Sequence, residues 1–189
     1  METIAIPTPL EGVLVVEIKY TRDERGFFIE SYHQRQFAAI GIADEFVQDN
    51  HSRSTAGVLR GVHYQDMSAP MGKLVRCTRG AIFDVAVDLR AGSPTFGKWF
   101  GLELSEENMK QLWLPVGFGH AFYTLTDIAD VQYKCTNFYT PQAEGAIAWN
   151  DPDLGIDWPA QNPIVSRRDN NAPSLKDYLT RPAFRYHPA

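Results

Sequence analysis

Only two cysteines, Cys77 and Cys135, occur in 189 residues, and neither has a second cysteine at CxxC spacing. That leaves no zinc ribbon and no disulfide framework, so both are expected as buried free thiols of a cytoplasmic protein. No apolar run approaches the ~20 residues that a membrane span needs. The acidic start, Met1-Glu2-Thr3-Ile4, lacks the charged-then-apolar pattern of a secretion signal. Positive charge is also in short supply. Lys and Arg number 18 against 23 Asp and Glu, a formal net charge of -5 with no basic tract. Neither nucleic acid nor an anionic membrane finds a footing there, and an anionic ligand would have to be held by a local cluster. A strand-to-helix GxGxxG, a GxxxxGK[ST] loop and a GxSxG elbow are all missing, which removes support for nicotinamide, P-loop and serine-hydrolase chemistry.

What is present is a succession of short β-branched and aromatic runs with Gly or Pro between them. The first regular element is expected as a strand over residues 10–19, followed by a charged turn closing on Gly26 and a short helix over 33–40 ending at Gly41. Residues 45–52 suggest a strand running into a polar elbow. Further strands are expected over 73–79, 81–89, 98–104, 111–114, 121–125, 131–137 and 146–149, and a short helix near 174–179. Spacing of this kind indicates an all-β sandwich or barrel with short peripheral helices. No linker or repeat interrupts it, so residues 1–189 are expected as one domain, with the Pro/Asn-rich tail from about 160 wrapping the barrel.

The central stretch is Val58-Leu59-Arg60-Gly61-Val62-His63-Tyr64-Gln65, with Gly72-Lys73-Leu74-Val75 soon after. Strand alternation puts Leu59, Gly61, His63 and Gln65 on one face and Arg60, Val62 and Tyr64 on the other. An imidazole sent into an apolar interior needs a partner. A core histidine bonded to backbone is one reading; Arg60, Lys73 and a second histidine in Pro115-Val116-Gly117-Phe118-Gly119-His120 suggest an active site instead. The P-x-G-x-x-H spacing also occurs in metal-binding cupin barrels. Their H-x-H half is broken here by Gln65, however, and their glutamate falls near Ala69-Pro70, so the set of ligands is too small for zinc or iron. Without a metal, His, Lys and Tyr at a barrel mouth suit proton transfer beside a ketone: a base, a stabiliser of the enolate oxygen and an acid on the far face.

The chain resembles the dTDP-4-dehydrorhamnose 3,5-epimerase family, cofactor-independent sugar-nucleotide epimerases with a cupin-type jelly-roll. The resemblance runs in order through Asp23–Glu30, Val47–Ser52, Gly57–Gln65, Gly72–Arg76, Phe83–Arg90, Ser93–Gly97, Tyr133–Thr136 and Asp151–Pro159, covering about residues 10–175. It implies a homodimer with exchanged N-terminal strands, no cofactor or metal, and a dTDP-linked 4-keto-6-deoxysugar as substrate. By the same resemblance His63 is the general base, Asp169 its orienting carboxylate, Tyr133 the acid and Lys73 the group at the C4 oxygen. From the sequence alone, Asp169 is a surface loop carboxylate. His120 would line the pocket. Arg60 suits a phosphate. Gln48, Asp49 and Asn50 would run along nucleotide and sugar, Tyr139 would stack on thymine, and Glu144 and Arg168 would make further contacts. Arg25 and Glu30, with Phe28 beside them, would come from the neighbouring subunit.

Asp84 and Asp88 are assigned to hydrogen bonding at the barrel end. The family's usual G-F-A-H-G-F is replaced by Gly117-Phe118-Gly119-His120-Ala121-Phe122, followed by Tyr123. These departures could change how the sugar ring sits. A single-site C3- or C5-epimerase and a non-catalytic nucleotide-sugar-binding cupin are the alternative readings.

Overall fold

Period-two alternation carries most of the chain into antiparallel strands. The computed structural model describes residues 2–160 and 162–188; Met1, Gln161 and Ala189 lie outside the described residues. The strands are β1 (Thr3–Pro7), β2 (Leu14–Ile18), β3 (Thr21–Asp23), β4 (Gly26–Phe28), β5 (Gln48–Thr55), β6 (Val58–Gln65), β7 (Lys73–Arg79) and β8 (Ala81–Asp88). They continue as β9 (Arg90–Ala91), β10 (Trp99–Ser105), β11 (Gln111–Leu114), β12 (Phe118–Thr124), β13 (Ile128–Cys135), β14 (Glu144–Ala146), β15 (Ile164–Val165) and β16 (Phe184–Arg185). The helices are α1 (Gln34–Ala39), α2 (Arg167–Asn170) and α3 (Leu175–Thr180).

Two sheets form a cupin-type jelly-roll: β1-β2-β11-β7-β13-β5 and β10-β8-β12-β6-β14, with β15 joining β6 in parallel. Between them lies a core that includes Val15, Val75, Ile82, Leu104, Leu112, Phe122 and Val131. Each fully buried Leu, Ile or Phe there contributes roughly 1.5–3 kcal/mol. The outer face of the first sheet is covered by Phe37 of α1 and Ile42, packed on Val16, Leu74 and Trp113. The second sheet is covered by the tail, whose Leu154, Leu175, Tyr178 and Phe184 pack on Val62, Val85, Val87 and Ala121. Ser174 and Asp177 close a capping box at the start of α3, which fixes a helix too short to stand alone.

Four boundaries differ from expectation. β1 precedes the strand expected first; it is a half-exposed edge strand ending in Pro7, so little hydrophobic pattern marks it. The segment expected as a polar elbow is itself the body of β5, another edge strand, where polar residues on the solvent side do not break pairing. β12 begins at Phe118, inside the Pro/Gly segment, so His120 sits on a strand between two neighbours. β14 covers Glu144–Ala146 and stops where strand 146–149 was expected to begin.

Candidate active site

A cavity of about 520 Å3 opens between the sheets. β6 contributes Arg60 and His63 and β12 His120; Lys73 of β7 and Tyr133 of β13 line it from the opposite sheet, and Ser166, Arg168 and Asp169 close one side. Simple alternation would put Arg60 and His63 on opposite faces, yet both line this cavity. The strand is irregular between them: pairing with β12 shifts register between His120 and Phe122, and Gly61 takes φ +122°. A Cβ on Gly61 would come within 2.5 Å of the His120 carbonyl oxygen and 2.6 Å of Ala121 Cα. Only glycine permits that approach, and the bulge turns Val62 out to the tail while Arg60 and His63 turn in.

His63 Nε2 lies 2.6 Å from Asp169 Oδ1. Asp169 is no surface carboxylate: it is 3% exposed and sits in α2, whose N-cap Ser166 hydroxyl accepts its N–H. Burial by itself would raise the pKa of Asp169, but the His63 imidazole, the Gly61 N–H and the Ser166 hydroxyl together hold it below the ordinary value. An ionised carboxylate only accepts, so Nε2 carries a proton, and in the neutral imidazole the lone pair is on Nδ1.

His120 repeats the arrangement, with Nε2 2.8 Å from Asp84 Oδ1, and the pair is buried. Asp88 does make barrel-end hydrogen bonds, to Arg90, Ser93 and Thr95. Asp84 does not. It faces inward on the same side of β8 as Ala86, and its Oδ2 has no partner among the described residues. A carboxylate in an otherwise apolar strand was the available sign that it serves a second buried polar group.

On the opposite sheet, Lys73 Nζ stands 5.7 Å from the Tyr133 ring centroid, and the His120 ring is 6.4 Å from that of Tyr133. Lys73 has no ion pair among the described residues. Loss of solvent lowers its pKa, which Cys135, Glu144 and Asp84 only partly oppose. Burial, aided by Cys135, raises the Tyr133 phenol, against a hydrogen bond with Asn50. Burial pushes both thiols, Cys77 and Cys135, up to about 11, and both are free.

At the mouth, Glu144 accepts from the Tyr139 hydroxyl at 2.8 Å and pairs with Arg168 at 2.8 Å. Arg60 donates to Ser54 Oγ and to the Arg53 carbonyl. Gln48 accepts the Tyr139 N–H and donates to Asn50. Asp49, next along β5, points to the opposite face, where Lys134 Nζ holds its carboxylate at 2.9 Å; it does not join the cavity. Nor do Arg25 and Phe28, which ride the β3–β4 hairpin, with Phe28 67% exposed. Glu30, just beyond, accepts from Gln36 Nε2. Gly119, Ala121 and Tyr123 lie on the far side of β12 from His120 and line no part of the cavity. Ala121 packs under the tail, a Cβ on Gly119 would meet Val62 and Leu89, and the Tyr123 hydroxyl lies near Gly57. Their departures from the family pattern fall on packing positions outside the cavity lining.

Gln65 occupies the position of a second metal-ligating histidine, but its amide is engaged by Ala69, Phe138 and Thr140. Among the described residues no three His, Cys, Asp or Glu converge closely enough to hold an ion, and no helix is long and apolar enough to cross a membrane.

A family model described as dTDP-4-dehydrorhamnose 3,5-epimerase matches residues 7–177. A dTDP-4-dehydrorhamnose 3,5-epimerase of Salmonella typhimurium is 53% identical over 178 residues, 93% of this chain and 97% of that protein. A dTDP-4-dehydrorhamnose 3-epimerase of Streptomyces niveus is 41% identical over 167 residues, covering 88% and 81%. The crystal structure of a dTDP-6-deoxy-D-glucose-3,5-epimerase from Legionella pneumophila, in complex with dTDP-4-keto-L-rhamnose, superposes with a TM-score of 0.94 at 46% identity, over 98% of this chain and 100% of that one.

Proposed function

The chain belongs to the dTDP-4-dehydrorhamnose 3,5-epimerase family of isomerases, and on that premise we propose that it inverts C3 and C5 of a dTDP-4-keto-6-deoxyhexose by proton transfer between side chains. The observation that carries the proposal is the opposition of His63 on one sheet, backed by Asp169 of α2, to Tyr133 with Lys73 on the other, across one cavity. In the proposed step His63 Nδ1 takes the proton from the carbon beside the ketone. The C–H electron pair moves into a carbon–carbon double bond, and the carbonyl becomes an enolate whose oxygen the Lys73 ammonium stabilises. The Tyr133 phenol then returns a proton to the opposite face of that carbon, the ketone re-forms, the His63 imidazolium releases its proton to solvent, and solvent reprotonates the phenolate. His120, steadied by Asp84, supplies a further polar contact to the ring.

Arg60, Gln48, Asn50, Tyr139, Glu144 and Arg168 are proposed for the nucleotide and sugar; Asp49 is left out, since Lys134 holds it on the other face. Arg25, Phe28 and Glu30 are proposed to act on a partner's site in a homodimer, which accords with a hairpin whose two phenylalanines are both more than half exposed. A cytoplasmic setting belongs to the same proposal and accords with two unpaired buried thiols.

Incubation of the enzyme with dTDP-4-keto-6-deoxyglucose in deuterium oxide, read by mass spectrometry and NMR, tests this reading. Deuterium at both C3 and C5 is the expected result. Label at one carbon would make it a single-site epimerase like the Streptomyces niveus relative, and binding without any label would make it a non-catalytic cupin.

A further inference from the structure

Residues 137–140 leave β13 and run without helix or strand to the mouth of the cavity, carrying two large aromatics side by side. Phe138 is 61% and Tyr139 52% exposed. A segment of this kind would ordinarily be mobile, because it has no ladder to satisfy its backbone and no core to hold its side chains. Here three successive N–H groups each find a side-chain amide. Asn137 Oδ1 accepts from Phe138 at 2.8 Å, Gln48 Oε1 from Tyr139 at 2.9 Å, and Gln65 Oε1 from Thr140 at 2.7 Å. Gln65 does more than its neighbours. It is 5% exposed, and its Nε2 donates to the Phe138 carbonyl at 3.2 Å and to the Ala69 carbonyl at 2.8 Å. One buried amide thus joins the aromatic segment at two points to the loop after β6, with three of its four hydrogen-bonding positions in use.

We infer that Gln65 is a positioning residue for nucleotide recognition, fixing the Phe138–Thr140 backbone so that the Tyr139 ring is held ready to receive a pyrimidine base. The inference rests on the proposed reading of Tyr139 as the base-stacking residue. The physical argument is pre-organisation. A base that stacks on a loop already fixed does not have to order that loop first, so the affinity lost without the clamp is the ordering the clamp had completed in advance. Gln65 touches neither sugar nor base, and its effect must pass through Tyr139.

Binding of dTDP, measured by calorimetry on the full-length protein, tests this with Gln65→Met, Tyr139→Ala and the double variant. Methionine keeps the volume and supplies none of the three bonds. Gln65→Met should weaken dTDP binding about tenfold and raise KM with kcat within about twofold, while the double variant should bind no more weakly than Tyr139→Ala alone. Losses that multiply in the double variant, or a Gln65→Met protein with wild-type affinity, would overturn the inference while leaving the epimerase reading in place. Wild-type protein that fails to bind dTDP at all would remove the base-stacking reading and this inference together. Should Gln65→Met not fold, backbone amide exchange in the wild-type protein decides: slow exchange at Tyr139 and Thr140 supports the clamp, and exchange at the rate of an open loop refutes it.

Discussion

Two carboxylates decide what the two cavity histidines can do. Asp169 accepts a hydrogen bond from His63 Nε2–H, which in the neutral imidazole leaves the lone pair on Nδ1. His63→Ala should therefore reduce solvent-deuterium exchange by a factor of about 10²–10⁴, and Asp169→Asn should reduce it by a comparable factor, since an amide N–H facing the ring favours the wrong tautomer and stabilises an imidazolium poorly. Single-turnover exchange followed by mass spectrometry measures both. Lys73 is expected to set the alkaline side of the pH–rate profile. Its pKa lies below the ordinary lysine value of 10.5 because it is desolvated. The ammonium is the form that stabilises an enolate, so activity should fall as pH rises through that lowered pKa. Lys73→Arg, which keeps its charge, should move the alkaline limb to higher pH even though kcat drops. A pH–rate profile in which the limb stays put would assign it to another group. Legibility at this scale was uneven. His63, Lys73, His120 and Tyr133 stand in recognisable strand contexts, whereas Asp169 and Asp84 become partners only when segments 106 and 36 residues away fold onto the histidines. Periodicity carries no information about such distant pairings, and for Asp169 only the family pattern supplied it.

At the scale of the element, β6 does the unusual work, and Gly61 is where it does it. The glycine holds φ +122° with the backbone of β12 where a Cβ would be. Gly61→Ala must either separate the strands or move His120, and it should cost about 2 kcal/mol or more, from dihedral strain plus the clash. Urea denaturation gives that figure, and exchange activity should fall with it. Regular alternation assigned Arg60 and Val62 together, and the bulge separated them. A period of two cannot foresee an irregular residue, although a glycine inside an apolar strand was the one local warning. The same limit explains the edges. β1 and β5 pair on one side only, so their patterns are diluted by polar residues, while the inner strands β7, β8 and β11 followed their hydrophobic runs closely. The helix expected near 174–179 is Leu175–Thr180, where Ser174 and Asp177 close a capping box at its start.

The molecule as a whole folds its apolar residues into three clusters, one between the sheets and one behind each. All-β architecture follows from strand spacing alone; the division of labour between the sheets does not, because it depends on which strands become neighbours. What the clusters leave over is the β3–β4 hairpin. Its two phenylalanines find little cover within the chain, and Arg25 at its tip pairs with Asp23 and lines no part of the cavity. If the hairpin serves a neighbouring copy, two differently crippled proteins should repair each other. A His63→Ala subunit still has an intact hairpin, and an Arg25→Ala subunit still has an intact base. Mixed after mild dissociation, they should recover up to about a quarter of wild-type activity, because about half of random dimers are mixed and each mixed dimer has one intact site of its two. Activity no higher than the sum of the two separate proteins would place Arg25 outside any shared site.

If the β3–β4 hairpin does complete a neighbouring copy's site, turnover is tied to population. Diluted below the point at which copies stay together, each polypeptide would keep its barrel, its paired histidines and its lysine, yet specific activity would sag with falling protein concentration. Added dTDP, gripped from both sides at once, would hold the pairs together and slow that decline.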